Sequence, residues 1–438
     1  MRPNRDPAST QAAPPAIVLG VEHPRAVAVI QSLGRMGVPV VGVDHLSTAY
    51  GMCSRYVREK IFVDGDYGSA LAMLDSLDRY RGAVLIPTND HYLTFVSQHF
   101  EHLSDRFIVT TPPWNVVSTL MDKSRCYALA HSVGLVTPPC FTPSTLDDLE
   151  RVIAQLDFAN HGYVLTKTLP IAEPTDGVTG RYTRVAGPDP QTLRARCREI
   201  LQRTGELPMI AQVVPGQADS CIGVSMVLDR TFAPVACYCV KRLQLRPYTT
   251  GEGFVHPYEL GANVYCESRH DNEAVEAAHR LLRAAGYYGM ATVEFRRDAV
   301  DGILKLIKVD PRVVRATGLS RALGIDIPKV LFGVFTGAPV SAPVPYADGV
   351  AWIWLTSYLD TVWAQGSRVF VRRLGLLLRE AGHLRAAAFL SSADPKPFLA
   401  ELGRWAWALI VNESYRIRRK VAELVKPSRR GSLDRSPR

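Results

Sequence analysis

The first hundred residues alternate short apolar runs with amphipathic stretches, and that alternation restricts the fold more than any other feature. AIVLGV (Ala16–Val21) is an apolar run bounded by Pro15 and Glu22, the length of a buried strand rather than a helix. RAVAVIQSLGRMG then sets apolar residues at helical spacing and stops at Gly37. VPVVGVD (Val38–Asp44), REKIFVD (Arg58–Asp64) and GAVLIPTND (Gly82–Asp90) read as three further strands, with a helix over ALAMLDSLDRY between the last two. Strand–helix–strand repetition with short turns predicts a parallel sheet covered by helices, ending near Pro112 and Pro113.

The middle of the chain changes character. MDKSRCYALAHSVGLVTPP (Met121–Pro139) reads as a helix with a glycine stop and prolines beyond it. GYVLTKTL, RYTRVA, PMIAQVV, CIGVSMVLD, APVACYCVKR, GMATVEFRRD and GILKLIKVD follow as closely spaced strands, interrupted by helices near Pro190–Arg203 and Asn272–Ala285. That spacing predicts an α+β arrangement with antiparallel strands. Beyond Pro328 the periodicity is helical, in WAQGSRVFVRRLGLLLREAG and PFLAELGRWAWALIVNESYRIRRKVAELV. The expected organisation of the 438 residues is a polar tail over 1–15, a parallel α/β domain over 16–113, an α+β domain over 114–340, a helical extension over 341–425 and a basic tail over 426–438.

Composition excludes several classes. No stretch approaches the roughly 18 uncharged apolar residues of a bilayer span, and the first fifteen residues lack the apolar core of a secretory signal. The eight cysteines are scattered with no C-x-x-C, and the eleven histidines form no H-E-x-x-H, so reduced thiols in the cytoplasm are the expectation. Of the net charge of +9, a surplus of six lies in Glu413–Arg438, where nine Lys and Arg face three Asp and Glu. The basic balance is a property of the tail, and no specific nucleic-acid partner is expected. RWAWALIVNESYRIRRK combines tryptophans, an apolar face and adjacent cations, which fits either a weak membrane-surface contact or a helix packed on its own protein.

Chemistry concentrates in VEFRRDAVDGILKLIKVDPR. Two strands joined at Asp301-Gly302 make a hairpin whose side chains alternate faces, so Lys308 and Asp310 share one. With the turn centred near Val300, Glu294 lies across from Leu306 and diagonal to Lys308. Glu294, Lys308 and Asp310 then converge, with Arg312 just beyond the strand end. An ordinary solvated hairpin face is the alternative for this segment by itself.

Taken in order from Ala16 to Pro339, these segments resemble the ATP-grasp enzymes of the carboxylate–amine ligase type. MDKSRCYALAHSVGLVTPP resembles the helix that introduces the nucleotide domain, which makes Lys123 a nucleotide-binding candidate. GYVLTK resembles the strand whose terminal lysine, here Lys167, contacts the α and β phosphates. IAQVVPG resembles the hinge strand over which adenine lies, so Gln212 to Val214 are expected at the base and Asp219 at the ribose. CVKRLQLRPYTTGEG resembles the segment near the acyl acceptor and phosphoryl group, with Lys241, Arg242 and Arg246 as its cations. VEF…KLIKVDPR resembles the strand pair whose acidic side chains hold magnesium, here Glu294 and Asp310, with Arg312 beside the transferred phosphoryl group. DGVTG (Asp176–Gly180) is either a phosphate-covering loop or an ordinary turn.

The resemblance implies a pre-ATP domain, an ATP-grasp fold of two α+β lobes, ATP and Mg2+ as cofactors, and small-molecule carboxylate and amine partners, with a homodimer left open. A dinucleotide site in the first domain is disfavoured, because GVEHPRA lacks the second and third fingerprint glycines. One departure stands out. Lys308 occupies the position of a glutamate that bridges two magnesium ions in the resembling proteins, so the triplet Glu294, Lys308 and Asp310 carries −1 instead of −2. A unit pair at about 4 Å is worth about 4 kcal/mol at an effective dielectric of 20. Either one magnesium binds through Glu294 and Asp310, or the Lys308 ammonium replaces a metal and belongs to the nucleotide site, or catalysis is lost and a nucleotide-binding protein remains.

Overall fold

The structure, a computed structural model, describes residues 13–64, 67–75, 77–166, 184–185, 189–247, 261–340, 345–379 and 382–425. The first sheet contains β1 (Ala16–Leu19), β2 (Val40–Asp44), β3 (Val57–Phe62), β4 (Val84–Pro87) and β5 (Ile108–Val109). All pair in parallel, in the order β3-β2-β1-β4-β5. Alternate residues explain why the strands read as continuous apolar runs. Ala16, Val18, Val40, Val84 and Ile86 enter one core, while Ile17, Leu19, Val41, Val43 and Leu85 enter the other. The first of these cores also holds the helix Pro24–Arg35, together with Tyr238, Val240 and Trp352 from the middle and end of the chain. The first sheet is therefore joined to the rest of the fold through shared apolar packing.

A second, smaller sheet contains β6 (Cys140–Phe141), β7 (Tyr163–Thr166), β8 (Arg184–Val185) and β9 (Met209–Gln212), antiparallel in the order β6-β9-β7-β8. It packs Tyr163, Leu165 and Ile210 against Leu149, Ile153, Leu193, Cys197 and Ile200 of the helices Leu146–Gln155 and Pro190–Thr204. Thr145 and Asp189 cap those helices, each accepting from backbone N–H groups of the first turn.

The third sheet contains β10 (Cys221–Leu228), β11 (Pro234–Pro247), β12 (Gly261–Ser268), β13 (Gly289–Arg297), β14 (Leu304–Asp310), β15 (Ala351–Ile353) and β16 (Leu384–Ala387). Its order is β14-β13-β10-β11-β12-β15-β16, antiparallel except for the parallel pair β15–β16. One face buries Val224, Met226, Val293, Phe295 and Leu306 against Ala274, Ala278, Leu281 and Leu282 of the helix Asn272–Ala284. Alternation leaves Gly223, Ser225, Thr292 and Glu294 on the opposite face.

The helix expected within Met121–Pro139, stopping at its glycine, is Lys123–Ser132, capped by Asp122, whose side chain accepts from the Arg125 N–H at 2.9 Å. The C-terminal extension is helical, with Leu355–Ala364, Ser367–Arg379 and Lys396–Val425, and it also lends β15 and β16 to the edge of the third sheet. The Trp405 indole N–H donates to Asp360 at 2.7 Å, tying the last helix to the first of the three. Among the described residues no helix is long and apolar enough to cross a membrane.

Candidate functional site

The β13–β14 hairpin sets the site, and its register differs from the one expected. Glu294 stands directly opposite Lys308, not Leu306, because Phe295 pairs with Leu306 and Ile307 is an extra residue between the two pairs. The bulge moves Lys308 onto the rung of Glu294 while keeping Asp310 on the same face, opposite Thr292. The Lys308 ammonium lies 2.7 Å from Asp310 Oδ2 and 3.5 Å from Glu294 Oε1.

These three residues belong to a longer chain of alternating charge. Arg242 of β11 pairs with Glu294. Arg312 donates from Nη2 to Asp310 Oδ1 at 3.2 Å and from Nε to Asp90 Oδ1 at 2.5 Å. The sequence Asp90–Arg312–Asp310–Lys308–Glu294–Arg242 thus alternates three carboxylates with three cations. Asp90 opens the helix Asp90–Gln98 that follows β4, where the Asn89 side chain caps that helix by accepting from the Tyr92 N–H at 2.8 Å. Burial pushes the Glu294 carboxyl up, but Arg242 and Lys308 together outweigh it and hold the group below its ordinary range.

Around this chain lies a cavity walled by β10, β11, β13 and β14 and closed by Arg25 of the first helix and Arg315 after Arg312. Five cations, Arg25, Arg242, Lys308, Arg312 and Arg315, face two carboxylates, Glu294 and Asp310. The lining carries a surplus of three positive charges, reduced to two when Asp90, the partner of Arg312 behind the wall, is counted, and such a surplus favours an anion. Gly223 forms part of its wall, where an added Cβ would stand 3.2 Å from the Val240 side chain.

The other expected residues fall in different places. Lys241 is adjacent to Arg242 on the strand and therefore points to the other face, where it pairs with Glu267 at 3.0 Å. Arg246 stands exposed opposite Ala262, beyond two irregularities in the β11–β12 register, and donates to Ser357 Oγ at 3.4 Å. Of the cations expected near the phosphoryl group, the structure brings Arg242 and Arg312 together with Lys308 and places Lys241 and Arg246 elsewhere. Lys123 opens the helix Lys123–Ser132 beside Cys140 of β6, close enough to oppose the upward push of burial on that thiol.

Gln212 ends β9, with its N–H donating to the Pro139 carbonyl at 2.9 Å and its side-chain amide 3.0 Å from the His161 ring. The Val213 N–H donates to Gly162, and Val214 follows, buried. Asp219 is exposed in the short turn Ala218–Ser220. Lys167 and the loop Asp176–Gly180 lie outside the described residues.

Three contributors escaped the sequence reading. Asp90 supplies the outer end of the charge chain and Arg25 the far wall of the cavity. Arg296 clamps the turn after β9 by donating to the carbonyls of Gly216 at 2.6 Å and Gln217 at 3.2 Å and to Ser220 Oγ at 3.0 Å. Gly216 suits that clamp: its φ is +145°, and an added Cβ would lie 2.3 Å from Ser220 Oγ.

The donor set does not fit two metal ions. Among the described residues no three His, Cys, Asp or Glu side chains converge, and the two carboxylates present are bridged by an ammonium. An ion entering between Glu294 and Asp310 has to displace Lys308 from both.

No protein-family model and no curated protein matches the sequence. Solved structures do match. N5-carboxyaminoimidazole synthetase from Staphylococcus aureus aligns with a TM-score of 0.57 at 14% identity, over 76% of this chain and 80% of that one. Biotin carboxylase from Campylobacter jejuni aligns with a TM-score of 0.55 at 14% identity, over 75% and 72%. L-amino acid ligase from Bacillus licheniformis aligns with a TM-score of 0.52 at 13% identity, over 74% and 75%. These are ATP-grasp folds, and the chain has that fold.

Proposed function

We propose that the protein is an ATP-dependent ligase that joins a small-molecule carboxylate to an amine. The cationic cavity on the β13–β14 face carries this reading, since it sits on the two-lobed fold where the resemblance expects the terminal phosphate. Gln212 and Val214 would border the base and Asp219 the ribose, with Lys123 and Lys167 offsetting phosphate charge. A carboxylate oxygen of the substrate attacks the γ-phosphorus, the bond to the β–γ bridging oxygen breaks, and ADP leaves with that electron pair. The amine nitrogen then attacks the acyl carbon, phosphate departs, the amine proton passes to solvent, and an amide remains.

Arg242, Lys308 and Arg312 act as fixed cations beside the charge that develops on the transferred group. Such preorganised charge needs no rearrangement at the moment of reaction. The guanidinium of Arg242 also suits a planar carboxylate better than an ammonium does. Because the residues do not fit two magnesium ions, no step is assigned to a second metal.

A second reading, a nucleotide-binding protein without turnover, is favoured by one observation: Lys308 pairs with both candidate metal ligands. ADP release measured across paired carboxylate and amine libraries, with ATP and magnesium, separates the two. Release that requires both a carboxylate and an amine supports the ligase. Nucleotide binding with no release under any pair supports the silent protein.

A further inference from the structure

A second cavity, of about 170 Å³, lies where three parts of the chain meet. Its walls come from the helix Pro24–Arg35, from the segment that follows β14, and from β16 with the residues after it. A volume of that size exceeds the roughly 30 Å³ share of one liquid water several times over. Small residues (Ala28, Gly318, Ala322, Ala386) and the buried ring of Trp352 leave the space open.

Its charge is one-sided. Arg35, Arg315, Arg321 and Arg385 line it, against Asp326 as the one carboxylate of the lining. Asp326 already accepts the Ser32 hydroxyl at 2.5 Å. Arg35 is held in place by Gln31, whose carbonyl accepts from Nη1 at 3.2 Å, and by Ser391, whose hydroxyl accepts from Nη2 at 2.5 Å. Burial and then the neighbouring Arg321 both push the Arg35 guanidinium below its ordinary value, so the two cations are close enough to repel. Neither Arg321 nor Arg385 forms an ion pair with a carboxylate among the described residues. Converging guanidiniums over a polar, roomy recess favour an anion with two or more acceptor oxygens.

We propose that this cavity is a binding site for a small dianion, a phosphomonoester or a short dicarboxylate, separate from the cavity beside Lys308. The ligand joins the first domain to the C-terminal extension by drawing Arg35, Arg321 and Arg385 together. Arg315 lines both cavities, so occupancy of one is coupled to the other through that side chain.

Calorimetric titration of the full chain with inorganic phosphate and, separately, with succinate tests the site. One or both probes should bind, the stronger one identifying the ligand chemistry. Arg321→Ala and Arg385→Ala together, both at exposed positions, should weaken that binding at least tenfold while ATP affinity stays within twofold. Circular dichroism, with the milder pair Arg321→Gln and Arg385→Gln, guards against misfolding. No binding of either probe, binding that both double variants leave unchanged, or strict one-for-one competition between the probe and ATP for a single site overturns the proposal, whereas a saturable weakening of one by the other is the coupling expected through Arg315. Binding alone is read, so failure of the ligase reading leaves this test untouched.

Discussion

The two faces of the β13–β14 hairpin are built on opposite principles. One presents Val293, Phe295, Leu306 and Val309 to a core shared with the helix Asn272–Ala284. The other presents Thr292, Glu294, Lys308 and Asp310 to a polar cavity. Apolar burial fixes the first face and tolerates imperfect detail, whereas the second depends on which charge stands beside which. A single bulge at Ile307 separates the two regimes, since it re-phases Lys308 without disturbing Leu306. Stability should therefore track the first face, and ligand affinity the second.

The largest effect is expected on the apolar face. Phe295→Ala should cost about 3–5 kcal/mol of stability, as for other buried aromatic truncations, measured by urea unfolding. A smaller loss would mean that this face is not the core of the lobe. Arg312→Ala comes next, because it strips a buried cation from both Asp90 and Asp310. Breaking a buried pair of this kind costs about 3 kcal/mol or more, and ATP affinity should fall with it.

Arg242 and Lys241 then offer a direct contrast between neighbours. Arg242→Ala should weaken ATP binding at least tenfold, while Lys241→Ala changes it less than twofold, both read by titration. Equal losses would break the assignment of the two residues to opposite faces. The smallest effect concerns pH. Glu294 has a folded-state value below its ordinary 4.5, so its contribution to stability is present above about that pH and fades as pH falls through the lower folded value. Glu294→Gln should flatten that acid-side decline in thermal unfolding between about pH 6 and about pH 3.

How much the sequence revealed follows the same division. The parallel sheet was legible because strands buried on both faces must be continuous apolar runs. The helices Pro190–Thr204 and Asn272–Ala284 fall within a residue of their expected ends, marked by Asp189 and Asp271 as caps. β5, β15 and β16 were not legible, since two to four residues leave no periodicity to read. Nor was the bulge, because one inserted residue changes the register without changing the composition. Lys241 and Arg242 are indistinguishable by residue type, and only the alternation anchored at Tyr238 and Val240 decides which enters the cavity. The bond from Asp90 to Arg312 spans 222 residues and has no local signal at all.

Lys308 is a resident counter-cation between Glu294 and Asp310, where the resemblance expects a metal-bridging glutamate. Magnesium titration in the presence of a non-hydrolysable ATP analogue, on the native chain and on Lys308→Glu, tests that role most directly. Fewer than two ions should bind per native chain, with both a higher stoichiometry and tighter magnesium–nucleotide binding in the variant, whose local charge falls by two units. Two magnesium ions bound to the native protein, with an affinity that Lys308→Glu does not improve, would contradict it.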